Sequence, residues 1–113
     1  MAIKVGESNK AFRYATSFDM SSSTALSLKF ADPSGTTSTI DSSGGRVTAP
    51  AVGVTDADLG SLTASEYMEF DVLATDFTTA GSWTVYGTYT DTATTPDSIY
   101  IGDTATFTVD AVP

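Results

Sequence analysis

The stretch SWTVYGTYT, Ser82–Thr90, alternates without a break. Trp83, Val85, Gly87 and Tyr89 fall on one side, and Thr84, Tyr86, Thr88 and Thr90 on the other. Successive side chains of an extended chain point to opposite faces, so a strict period of two specifies a strand with one buried face. Three further segments repeat the pattern. TALSLKFAD places Leu26, Leu28 and Phe30 together, YMEFDVLA places Met68, Phe70, Val72 and Ala74 together, and TATFTVD does the same for Ala105, Phe107 and Val109. A one-residue slip would turn each set outward, so the register is strongly constrained. The expected core is Leu26, Leu28, Phe30, Phe70, Val72, Trp83, Val85, Tyr89, Phe107 and Val109.

Shorter runs fill the intervals. KAFRYATSF reads as a strand whose inward face is either Phe12/Tyr14 or Ala11/Arg13. TTSTI reads as a strand between the turns PSG and DSSGG, and RVTAPAV as a short strand that Pro50 ends or confines to an edge. In VTDADLGSL, Thr55 precedes Asp58 by three and Gly60 follows, which predicts one short helical turn. Thr and Ser dominate the polar positions, as suits strands and turns. About seven short strands with turn signals between them predict an all-β sandwich or small barrel formed by residues 1–113 as one domain. Gly81, just before Trp83, would relax the backbone at the corner where the core strand begins.

Composition narrows the chemistry. The chain has no Cys and no His, which removes disulfides, thiolate metal sites and the usual general base. Asp56 and Asp58, with Gly60 and Glu66 beyond them, do not follow the spacing of a calcium loop. Glu69 and Asp71 lie two apart on an outward strand face, where solvated carboxylates are expected rather than an acid/base pair. DSSGGR lacks the Lys-Ser/Thr of a phosphate loop. No catalytic residue, cofactor or metal ligand emerges, and the expectation is a non-enzymatic module. No apolar run reaches the roughly 18 residues of a spanning helix or resembles a signal peptide, so the expectation is a soluble protein made in the cytoplasm, with no membrane partner.

The net charge of −9 is unevenly spread. Five bases and four acids in residues 1–46 sum to +1, and ten acids without a base in residues 47–113 make −10. No basic stripe for nucleic acid exists. The bases lie where a partner could be met. Ile3, Lys4, Val5, Lys10 and Arg13 are the candidate interface, with Ile3–Val5 able to add to a neighbour's sheet edge. The competing expectation is that Lys4, Lys10 and Arg13 neutralise acids of their own chain.

Three stretches carry a resemblance: AIKVGESNKAF at the start, STALSLKFADPSGTT, and TTAGSWTVYGTYTDTATTPDSIYIGDTATFTV near the end. Together they resemble small immunoglobulin-like proteins encoded among the virion genes of tailed bacteriophages. They are also similar, more loosely, to the N-terminal domain of phage upper-baseplate proteins. The resemblance implies a two-sheet antiparallel immunoglobulin-like sandwich. It implies a structural virion component that docks in several copies on portal, neck, tail, baseplate or capsid proteins. Capsid decoration is the nearest alternative. A carbohydrate-binding module is another, and it would need an exposed row of aromatics such as Tyr67, Tyr86 and Tyr100.

Overall fold

The computed structural model describes residues 3–92 and 95–112. Among them are ten strands: β1 (Ile3–Lys4), β2 (Ala11–Ala15), β3 (Ser23–Ala31), β4 (Thr37–Asp41), β5 (Val54–Asp56), β6 (Gly60–Leu62), β7 (Tyr67–Asp71), β8 (Gly81–Asp91), β9 (Ser98–Ile101) and β10 (Ala105–Asp110). A 3-10 turn spans Ser43–Gly45 inside the expected DSSGG turn, and the chain is all-β otherwise.

The spine is β8. Its eleven residues bury Trp83, Val85, Gly87 and Tyr89, as their alternation requires. On one side it pairs with β3, so that Leu26, Leu28 and Phe30 stand opposite Tyr89, Gly87 and Val85. On the other side it pairs first with β10, Phe107 opposite Trp83, and then with β9, Tyr100 opposite Tyr89. The sheet runs β1-β10-β8-β3-β4, with β9 added to the far end of β8. Every pairing is antiparallel except β1 with β10, which is parallel.

A second, two-stranded layer covers the buried face. β2 and β7 pair with Phe12 opposite Phe70 and Tyr14 opposite Met68, so the inward face of β2 is Phe12/Tyr14. Phe12 bridges the layers. Its ring stacks on Phe70 at 5.2 Å and meets Phe30 and Phe107 edge-on at 5.4 and 5.0 Å. Edge-to-face pairs of this kind add roughly 0.5–1.5 kcal/mol each beyond area burial. The result is β-sandwich-like packing around one aromatic cluster.

The corner ahead of β8 explains its Gly-Ser-Trp sequence. Gly81 has φ 130°, and a Cβ there would stand 2.7 Å from Pro33 Cγ, so both backbone conformation and close approach exclude a side chain. Trp83 then enters the core at 4% exposure, edge-on to Phe77, and its indole N–H donates to the Thr79 carbonyl at 2.8 Å.

Several expectations are corrected. VTDADLGSL is the β5–β6 hairpin, not a helical turn. The Asp56 carboxylate accepts the amide N–H groups of Asp58 and Leu59, both at 3.0 Å, and so folds the turn that brings Val54 opposite Leu62. Ala74 is exposed because β7 ends at Asp71 and a turn follows, closed by the Asp76 N–H on the Leu73 carbonyl. Ala105 is exposed at the open start of β10, while Phe107 is partly buried against the core. RVTAPAV contributes a single bridge, Thr48 to Glu69. Tyr67, unassigned by alternation, is buried alongside Met68, and its hydroxyl donates to the Val52 carbonyl at 2.9 Å.

Candidate protein interface

The five candidate interface residues do not form one patch. Ile3 is fully buried, and β1 uses one edge on β10, with the Val5 N–H donating to the Asp110 carbonyl. The Lys4 side chain is exposed, and its amide N–H donates to Glu7 Oε1 at 3.0 Å. That hydrogen bond, with Lys10 at 3.4 Å, holds the Glu7 carboxyl below its ordinary range. Arg13 lies apart on β2. It bonds Glu69 opposite it on β7 at 2.8 Å and Asp56 at 3.2 Å. These bonds, Glu69 first, raise the pKa of the guanidinium. Glu69 is therefore paired, where a solvated carboxylate was expected, and Asp56 is buried at 6% exposure. No group of three or more metal-ligating side chains occurs among the described residues. Tyr67, Tyr86 and Tyr100 do not form a row, since Tyr67 is buried in the smaller layer and Tyr86 lies on the β8 face opposite Tyr89.

A different surface stands out. β9 and β10 lie end to end along the same side of β8, and β1 covers only Val109 and Asp110. From Ser98 to Thr108 that sheet edge has no strand beyond it among the described residues. Its β9 half is Ser-Ile-Tyr-Ile. Ile99 and Ile101 are 70% and 72% exposed. Tyr100 points to the other face, stacked on Tyr89 at 4.9 Å and 6.2 Å from the exposed Phe18 ring. Proteins usually blunt such edges with charge, Pro or bulges. Within Ser98–Ile101 there is neither charge nor Pro.

The β10 half walls a cleft. Among the described residues β2 pairs only with β7, which leaves its other edge open there, and it faces Thr104–Phe107 across a cavity of about 230 Å³. Phe12, Tyr14, Val85 and Phe107 supply its apolar lining. Arg13, Asp56, Asp58 and Asp103 supply its charges. Tyr14 closes one end, its hydroxyl donating to the Asp103 carbonyl at 2.6 Å, and burial raises the pKa of that hydroxyl. The open edge has no signature in side-chain alternation. The hint in the sequence was two Ile flanking a Tyr in the four-residue run Ser98–Ile101, which puts apolar groups on both faces of a strand too short to be central.

No family model matches the chain, and no curated protein or solved structure is detectably similar to it.

Proposed function

We propose that this chain is an immunoglobulin-like, non-enzymatic structural component of a tailed-phage virion, an adaptor or accessory protein docked in several copies on neck, tail or baseplate proteins. Two arrangements support the immunoglobulin-like part. The order β4-β3-β8-β10 with a separate β2–β7 pair corresponds to C′-C-F-G facing B-E in such sandwiches. The strand equivalent to F begins with an aromatic whose polar atom bonds back to the backbone, here Trp83 to Thr79, as the tyrosine of the usual corner does.

The observation that carries the docking role is the uncharged β9 edge with Ile99 and Ile101 in solvent. An apolar edge of this kind offers backbone pairing and burial together to a neighbouring protein. The virion context rests on the sequence resemblance. Mass spectrometry of purified phage particles tests it, and the expected result is this chain at a fixed stoichiometry. The double variant Ile99→Lys/Ile101→Lys should melt like the parent yet fail to incorporate. A chain absent from purified particles, or a double variant that incorporates normally, overturns the reading. Recovery on tail-less heads alone would assign it to capsid decoration instead.

A further inference from the structure

We propose that the cleft between β2 and β10 receives an extended segment of another protein that carries lysine or arginine, paired by its backbone to β10 in line with β1. This surface is distinct from the β9 edge and does not depend on the virion reading.

The backbone geometry comes first. Asp110 turns its carbonyl toward β1, where it accepts the Val5 N–H. Hydrogen bonding along an antiparallel strand repeats every two residues, so Thr106 presents its N–H and carbonyl to that same side. Among the described residues β1 stops short of it, pairing with Val109 and Asp110. A strand continuing the line of β1 would meet these groups and lie beside the equally open edge of β2.

Volume decides the class of ligand. A cavity of about 230 Å³ falls below the roughly 300 Å³ at which small-molecule pockets begin. It suits one or two aliphatic side chains of a strand, set against Phe12, Val85 and Phe107.

Charge decides the partner. One base, Arg13, stands with three acids, Asp56, Asp58 and Asp103, so the cleft sums to −2. Arg13 is already engaged by Asp56 and Glu69. A cationic segment is attracted here and an acidic one repelled. A second copy of this chain is a poor source of that segment. Two molecules of charge −9 repel, Lys10, Arg13 and Arg46 are bonded to acids of their own chain, Lys29 sits in β3 between β4 and β8, and Lys4 sits in β1, whose backbone is paired to β10.

The test uses the whole protein and two synthetic peptides, alternating valine–lysine and its matched valine–glutamate version, followed by amide shifts in NMR. The expected result is shifts confined to Ala11–Ala15 and Asp103–Thr108. Binding of the lysine peptide should be at least about tenfold tighter than that of the glutamate peptide and should weaken with salt. Thr106→Pro, at an edge N–H where proline is tolerated, should weaken it about tenfold. Should that variant fold poorly, Asp103→Lys changes only an exposed side chain and should reduce lysine-peptide affinity severalfold. No shifts, equal binding of the two peptides, or shifts centred on Ser98–Ile101 each overturn the proposal.

Discussion

The ring of Tyr14 occupies the space in front of Gly87: a Cβ on that glycine would stand 2.8 Å from Tyr14 Cε2. The hydroxyl of the same residue fills the place where a Cβ of Gly102 would be. One aromatic side chain thus holds two glycines, and it links β2 to the sheet across the cleft. Gly87→Ala should destabilise the fold by about 1–3 kcal/mol, as overpacking does. Tyr14→Phe keeps the ring and loses the bond to Asp103, a cost of about 0.5–1.5 kcal/mol. Urea denaturation followed by circular dichroism measures both. A neutral Gly87→Ala would mean that Tyr14 can swing aside freely.

Trp83 is the second anchor. Trp83→Ala should cost about 3–5 kcal/mol. Trp83→Phe should recover part of that, since it fills the site against Phe77 but leaves the Thr79 carbonyl without the indole donor. Thermal melts compare the two. Equal melting of parent and alanine variant would contradict the buried position of the indole.

Asp56 serves two partners at once, the turn amides of Asp58 and Leu59 and the Arg13 guanidinium. Asp56→Ala should destabilise by about 1.5–3 kcal/mol, the typical worth of part-buried hydrogen bonds to a charged group. Arg13 keeps Glu69, so the loss stays below that of a fully orphaned buried charge. Asp56→Asn should fall between the two. In hydrogen exchange, the β5–β6 amides of Asp56→Ala should lose protection first, before those of β8.

Stability should fall at both ends of the pH scale. Burial raises the hydroxyl pKa of Tyr14, Tyr67 and Tyr89. A raised acid favours the fold while protonated, so this contribution is whole below about pH 10 and is lost as pH rises through the folded values. On the acid side, hydrogen bonds from the Ser34 hydroxyl and from the Ser34 and Thr36 amides hold the Asp32 carboxyl below its ordinary range. That contribution is present above about pH 4 and is lost as pH falls through the lowered value. Melting temperature against pH, with phenolate absorbance, checks both limbs. Asp32→Asn should flatten the acid limb and Tyr14→Phe should move the alkaline limb upward. Phenolate formation well before unfolding would contradict the burial argument.

The sequence disclosed faces better than edges. Alternation identified β3, β7, β8 and β10 and the inward residues of β3 and β8, because side-chain direction in a strand is a local property. It erred at Ala74, which lies beyond the end of β7, and at Ala105, the first residue of β10, which pairs with Val85 yet stays exposed, because the pattern does not report where a strand or its covering layer ends. It misread Thr55–Gly60 because a carboxylate that accepts turn amides is common to helix starts and hairpins, and Asp56 was folding the latter. The Arg13–Glu69 pair needed the β2–β7 register, which joins residues 56 positions apart. The open edge from Ser98 to Thr108 needed the strand order of the whole sheet.

The pairing of β3 with β8 sets the tempo of folding. Leu28 meets Gly87, a separation of 87 − 28 = 59 residues, and contacts of such long range slow folding because the loop must close before they repay it. While the chain is being synthesised, β3 has only β4 beside it until Gly81–Asp91 has emerged. Leu26, Leu28 and Phe30 then present a naked hydrophobic strand, the kind of exposure through which nascent β-proteins aggregate or recruit chaperones.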